Sequence, residues 1–281
     1  MDNQSQQFNG EIQNKEGMEF LSMIPNKSIN LILTDPPYIT SSETGMGNLH
    51  KQIQENIENN IKFMKTEDEW NKVKDKYAEH DMPEDKMKEN YMIYGNIYGK
   101  KYSVQTEYGD WDKNFTMDML DKFIEEYYKK LVPGGTVIIF FDIWKITPLK
   151  ELLEKHKFKQ IRFIEWIKTN PQPLNQKVNY LTNCREIALL GVKGGKPTFN
   201  SKYDNAIYQF PLQGGKNRFH PTQKSLPLFE ELIKKHSNEG DIVLDTFLGS
   251  GTTALACKNT NRICKGCEVS KEYYDKMITL L

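Results

Sequence analysis

Hydrophobic and polar positions fall into two kinds of block along this chain. Short, almost wholly apolar runs occur at Ile29 to Thr34, Thr136 to Phe141 and Ile242 to Leu244, each bounded by turn formers, which predicts strands buried on both faces. Gln160 to Ile167 and Arg262 to Cys267 predict two more strands. Between them, apolar residues recur at helical spacing. Residues 16–23 predict a helix leading through Pro25-Asn26-Lys27 into the first strand. Thr116 is a natural N-cap for a helix with Met117, Leu120, Phe123, Ile124, Tyr127 and Leu131 on one face, stopped by Pro133-Gly134-Gly135. Pro148 to His156 predicts another helix. Alternation of buried strands with amphipathic helices predicts an α/β fold, a mostly parallel sheet with helices on both faces.

The first strand stops abruptly at a carboxylate, two prolines and an aromatic ring, Asp35-Pro36-Pro37-Tyr38. Each proline biases the residue before it toward an extended backbone. The chain therefore leaves the sheet stiffly where open α/β sheets bind ligands, beyond the carboxyl end of a strand. Such a set can hold a planar amine. Asp35 accepts one N–H, the Pro36 carbonyl accepts the other, and Tyr38 stacks on the ring that carries the amine.

A second stretch, Gly240 to Ala254, predicts strand, glycine turn and helix in succession. Gly249 and Gly251 let the backbone approach a ligand closely, and the free N–H groups of a helix starting near Thr252 favour an anionic group. Glu268, beyond the strand Arg262 to Cys267, is placed to accept both hydroxyls of a ribose. Taken alone, Gly249-x-Gly251-x-x-Ala254 with a later acid also fits a nicotinamide-dinucleotide oxidoreductase. Two features weigh against that reading: Asp245 would set a negative charge against a pyrophosphate, and a dehydrogenase has no use for Asp35 to Tyr38. A cationic ligand with an amino acid moiety suits Asp245 better. S-adenosylmethionine is such a ligand, carrying a sulfonium, an ammonium, a carboxylate, a ribose and an adenine.

Composition changes the picture locally. The 281 residues carry a formal charge of +0, which suits one α/β domain with insertions and supplies no global field for nucleic acid. From Lys168 to Lys224, however, nine Lys or Arg stand against two acids, Glu186 and Asp204, interleaved with Asn, Gln, Tyr and Phe. That window suits contacts to phosphates and bases, although a basic loop without a partner has the same composition. From Lys51 to Asn90 nearly half the residues are charged with both signs mixed, and Tyr91 to Tyr108 is rich in Tyr and Gly. A solvated helical insertion is predicted over about residues 41–110, with an aromatic end able to cover the site or touch a substrate. The four cysteines make no disulfide framework, and Cys264-x-x-Cys267 lacks a second ligand pair and lies in a predicted strand, so no metal site is expected. Polar first residues and the lack of a long apolar run predict neither a signal peptide nor a membrane span, hence a cytoplasmic protein.

Four motifs in order carry a family resemblance: Asp35-Pro36-Pro37-Tyr38, Phe219-His220-Pro221-Thr222-Gln223-Lys224, Asp245-x-Phe247-x-Gly249-Ser250-Gly251-Thr252-Thr253, and Gly266-x-Glu268. With Val132-Pro133-Gly134-Gly135-Thr136 they resemble the amino-methyltransferases of DNA, in the permuted β class, where the amine-holding motif precedes the cofactor motif. Ser225 departs from the proline usual after the lysine. The resemblance spans nearly the whole chain apart from residues 41–110. It implies a Rossmann-like, S-adenosylmethionine-dependent methyltransferase fold with permuted chain order, a single domain over residues 1–281, and DNA as substrate. The target base would be flipped out against Tyr38, and Asp35, Pro36 and Pro37 would form the amine clamp. By family position, Lys224 and Asp245 bind the methionine end of the cofactor and Glu268 its ribose. Asp35, Phe247, Gly249, Ser250, Gly251, Thr252 and Thr253 complete the cofactor site.

The target-recognition region would cover residues 168–218, with Lys177, Lys216 and Arg218 as the DNA-contacting candidates, while His220 would be structural. A homodimer and a cognate restriction endonuclease are compatible partners. Within the class, aspartate at the first clamp position is commoner in enzymes that modify adenine N6, and serine in those that modify cytosine N4. Adenine N6 is therefore expected. N4-cytosine methylation, a non-catalytic DNA-binding protein, and methylation of RNA or glutamine are the alternatives.

Overall fold

The computed structural model describes residues 7–38, 65–78, 80–94, 97, 115–171, 181–213 and 223–281. In chain order the elements are β1 (Gly10–Asn14), α1 (Gly17–Met23), β2 (Ile29–Thr34), α2 (Glu67–Val73), α3 (Glu84–Tyr94), α4 (Met117–Lys130), β3 (Leu131–Phe141), α5 (Ile146–Lys155), β4 (Lys159–Lys168), β5 (Arg185–Val192), β6 (Ile207–Phe210), α6 (Leu226–His236), β7 (Ile242–Asp245), α7 (Thr252–Asn259), β8 (Ile263–Glu268) and α8 (Lys271–Ile278). The eight described strands join one sheet in the order β1-β8-β7-β2-β3-β5-β4-β6. Only β5 runs against the rest, pairing antiparallel with β3 and β4. The mostly parallel sheet expected from the alternating pattern is therefore present.

Side chains alternate across the central strands and fill a core on each face. Along β3, Val137, Ile139 and Phe141 join Phe20, Phe123, Ile124 and Leu149 from α1, α4 and α5. Ile138 and Phe140 join Leu228, Phe229, Leu232 and Ala254 from α6 and α7. Phe140 and Phe229 stack with ring centroids 5.5 Å apart. Thr116 caps α4 as expected, its side chain accepting from the Met119 N–H. The helix nevertheless ends at Lys130. Leu131 belongs to β3, which pairs with Ile29 before the register shifts between Ile29 and Leu31. Pro133-Gly134-Gly135 thus bends the start of a strand and does not stop a helix. Gly134 (φ 81°) supplies the left-handed residue that the bend requires.

The permuted order has a direct structural expression. The strand ending at Asp35 comes early in the chain, and β7, ending at Asp245, comes late. They lie side by side, with Leu31 opposite Val243 and Ile32 opposite Leu244. Because both run the same way, their carboxyl ends open on one edge. The antiparallel β5 enters that same edge with its first residues.

Residues 40–108 form a compact unit of their own. Thr66 and Glu69 make a reciprocal capping box at the start of α2, each side chain taking a backbone N–H of the other. Trp70 is buried with Met87 and Ile97, and its ring lies parallel to Tyr77 and tilted against Tyr91. The charged insertion therefore has a small apolar centre that its composition conceals.

The turn before α7 makes a stability prediction. Gly251 is the N-cap at φ 77°, and a Cβ there would meet Met277 Cγ of α8 at 2.3 Å. Gly251→Ala combines the left-handed penalty of an L residue with that clash, for an expected loss of about 1–3 kcal/mol. Thermal melts followed by circular dichroism measure it, and an unchanged melting temperature would show that neighbouring elements absorb the change freely.

Candidate active site

The carboxyl edge of β2 and β7 gathers most of the described candidate residues. Asp35 leaves β2 with its Oδ2 at 2.8 Å from Lys224 Nζ. Its Oδ1 is buried and has no hydrogen-bond partner among the described residues. Burial raises the Asp35 carboxyl to about 6; Lys224 opposes that rise, while Glu186 and Asp245 add to it. Tyr38 sets its ring edge-on to Phe141 of β3, with centroids 6.1 Å apart, and turns its hydroxyl toward Lys224 Nζ at 3.3 Å. Pro36 is buried and Pro37 half-buried between them. Stiff backbone and buried acceptor thus coincide at the end of the strand.

Lys224, assigned by resemblance to the methionine end of the cofactor, has its ammonium taken up by Asp35 and by Glu186 Oε2 at 2.6 Å. Glu186 in turn pairs through Oε1 with Lys168 Nζ at 2.7 Å. Burial works against the Glu186 carboxylate, but Lys224 and Lys168 outweigh it and hold the group down at about 2. Burial also opposes the charge on Lys224, and its two carboxylates overcome that and raise it well above the usual lysine range. Sequence reasoning counted Glu186 only as one acid in a basic window. The signal that could have singled it out is an acid at the entrance of an apolar strand otherwise flanked by bases.

Asp245 ties the two strand ends together. Its Oδ1 accepts from Thr34 Oγ1 at 2.7 Å and from the Phe247 N–H at 3.0 Å, while Oδ2 accepts from Thr253 Oγ1 at 2.5 Å. Burial pushes its carboxyl up, and these three donors pull it back. All three are neutral, so an ionised carboxylate here has no counter-charge among them. A buried anion held by neutral donors fits a cationic ligand. Beyond it, Gly249 (φ 51°) and Gly251 shape the turn, and Glu268 accepts from the Gly249 N–H at 2.7 Å and the Ser270 N–H at 2.8 Å. Glu268 therefore braces the glycine turn through Oε2 and the start of α8 through Oε1. Ser250 and Thr252 share a hydrogen bond at 3.0 Å, and Phe247 packs on Phe115 and Phe123. The residues present fit S-adenosylmethionine: a buried anion for its cationic end, a glycine cradle, and a carboxylate at the end of β8 for its ribose.

Lys177, Lys216, Arg218 and His220 lie outside the described residues, as do residues 172–180 and 214–222 of the basic window. Among the described residues no group of His, Cys, Asp or Glu could hold a metal ion, and no helix is long and apolar enough to cross a membrane. Cys257, Cys264 and Cys267 are buried free thiols, and Cys184 is partly exposed.

A mostly parallel α/β sheet with a glycine turn after one central strand and Asp-Pro-Pro-Tyr after its neighbour is the arrangement expected, from the resemblance, of an S-adenosylmethionine-dependent methyltransferase. The DNA methylase family model matches residues 29–279. The Type II methyltransferase M2.DpnII of Streptococcus pneumoniae is 32% identical over 191 residues, covering 60% of this chain and 70% of the relative. The Type II methyltransferase M.HpaI of Haemophilus parainfluenzae is 31% identical over 200 residues, covering 62% of this chain and 63% of the relative, so the chain spans less than two thirds of that protein. The crystal structure of the M1.HpyAVI-SAM complex superposes with a TM-score of 0.58 at 25% identity, covering 96% of this chain and 99% of that one. The cytosine-N4-specific PvuII DNA methyltransferase shares the fold, with a TM-score of 0.63 at 16% identity over 96% of this chain and 85% of its own. This chain belongs to the DNA methylase family and is an S-adenosylmethionine-dependent DNA methyltransferase of the N6/N4 type.

Proposed function

We propose that this protein methylates the N6 amine of adenine at a specific DNA sequence. The observation that carries the reading is the buried, unpartnered Oδ1 of Asp35 at the carboxyl end of β2, beside Tyr38 and next to the strand that ends in Asp245. An exocyclic amine is a poor nucleophile because its lone pair is delocalised into the ring. S-adenosylmethionine, when bound, supplies a methyl group activated by its sulfonium. Asp35 Oδ1 and the Pro36 carbonyl hold the two N–H groups and favour tetrahedral geometry at the nitrogen, while Tyr38 gives the extrahelical base a stacking surface. The amine loses one proton for the methyl it gains, and Asp35 is the buried base beside it. Positive charge that develops on the nitrogen is stabilised by the same carboxylate.

Adenine is preferred over cytosine because the first clamp residue is aspartate, the residue commoner among adenine enzymes of the class. The relatives' name, Type II methyltransferase, supports a role in DNA modification. Sequencing of unmethylated DNA after treatment with the protein and S-adenosylmethionine tests the reading. Modified adenines at every copy of one short sequence are expected; modification of cytosine alone, or of RNA in preference to DNA, would overturn it.

Two further outcomes follow from charge. Asp35 acts as a carboxylate and its carboxyl stands at about 6, so turnover is expected to be level above that pH and to fall as pH drops through it. A pH profile of single-turnover rates with an acid limb near 4 would contradict this assignment. The excess of basic residues from Lys168 to Lys224 should make DNA binding steeply salt-dependent. Replacing Lys216 and Arg218 together is expected to flatten the slope of log K against log salt by up to about two units. An unchanged slope would remove both residues from the phosphate contacts.

A further inference from the structure

We propose that Glu186 is a positioning residue of the methyl-transfer site, which divides the Lys224 ammonium between two carboxylates and so keeps Asp35 Oδ1 open to the target amine. This inference rests on the reading of Asp35 as the amine acceptor. Four charges alternate in a row: Asp35, Lys224, Glu186 and Lys168, linked at 2.8, 2.6 and 2.7 Å. Their side chains are only 19, 7, 17 and 13% exposed, so water screens the row little. The fold assembles it from four places, the first being Asp35 just past the end of β2. Strand β5, being antiparallel, brings Glu186 to the carboxyl edge at its second residue; β4 ends there with Lys168; and Lys224 precedes α6.

A lysine held by one carboxylate alone would sit fully on that carboxylate, and the Asp35 in this site would then be a weak acceptor. Glu186 prevents this by sharing the ammonium at 2.6 Å, beside the 2.8 Å contact to Asp35, while Lys168 competes for Glu186 through its other oxygen at 2.7 Å. The groups that face Asp35 are Lys224 ahead of α6, Glu186 on β5, Asp245 on β7 and Tyr38 on its own loop. Those that face Glu186 are Lys224, Lys168 and the Tyr38 hydroxyl. Removing the Glu186 charge commits Lys224 to Asp35 and makes Asp35 less basic. Removing Lys168 does the opposite, since Glu186 then draws harder on Lys224.

The test compares single-turnover pH profiles on unmethylated DNA with S-adenosylmethionine. Glu186→Gln is expected to lower turnover about ten- to a hundredfold and to move the acid limb down by about one pH unit. Its dissociation constant for S-adenosylmethionine should stay within about twofold of wild type, and Glu186→Asp should restore part of both losses. Lys168→Met is expected to move the limb upward, and it serves as the deciding variant if Glu186→Gln does not fold. Limbs that stay at the wild-type position in the folded variants would overturn the proposal and return Glu186 to a structural role. Asp35→Ala separates the two readings: if it keeps full turnover, the assignment of Asp35 itself fails, and if it is inactive while the limbs do not move, only the role of Glu186 fails.

Discussion

Asp35→Ala is expected to lower turnover at least about a hundredfold while leaving the affinity for S-adenosylmethionine nearly unchanged. A preorganised electrostatic group aimed at developing charge commonly contributes that much, because it acts in a dry site and needs no reorganisation during the reaction. Asp35 qualifies on both counts, since its Oδ1 is buried and its Oδ2 is fixed by Lys224. The fold should survive the change, because Lys224 keeps Glu186 as a partner. Calorimetric titration of the cofactor and single-turnover methylation measure the two effects separately.

Asp245→Ala should fail differently. It leaves the hydroxyls of Thr34 and Thr253 and the Phe247 N–H without their acceptor in a buried place, and it removes the anion that suits a cationic ligand. Unmet buried donors cost about 1–3 kcal/mol each before relaxation, so a loss of several kcal/mol in stability is expected. Affinity for S-adenosylmethionine should fall by at least about a hundredfold, equivalent to about 2.7 kcal/mol. Calorimetry on the folded fraction at low temperature tells weak binding from unfolding. If Asp35→Ala abolished cofactor binding while Asp245→Ala spared it, the division of labour between the two strand ends would be wrong.

The parts of the fold legible in the sequence are those where one physical signal dominates. Ile29 to Thr34 is apolar throughout because both faces of β2 are buried, and the amphipathic α4 stands out because one face meets the core and the other meets water. Strand β1 was not anticipated. Its residues, Gly10–Asn14, are mostly polar because it lies at the sheet edge, held there by pairing with β8. Strand β5 was hidden by its surroundings, since Ile187 to Val192 lies inside a window that attracts notice for its charge. Leu131 fits the helical face by spacing, but backbone pairing with Ile29 claims it for β3.

The site divides along the same line. Asp35 and Asp245 end apolar runs, so each declares its position at the carboxyl edge from local sequence alone. The partnership of Lys224 with Asp35 and Glu186 joins residues far apart in the chain, and only the pairing of β2, β3 and β5 brings them together. Glu268 shows a third case. Spacing placed it correctly at the end of β8, but gave no sign of its bond to the Gly249 N–H.

The proposed reaction is transfer of a methyl group to the amine of adenine in DNA. Mass spectrometry of nucleosides tests that most directly, after unmethylated DNA has been treated with the purified protein and S-adenosylmethionine carrying a deuterated methyl group. Deuteromethyl label in N6-methyldeoxyadenosine, lost on Asp35→Ala, is the expected result. Label in N4-methyldeoxycytidine with none in N6-methyldeoxyadenosine would contradict it.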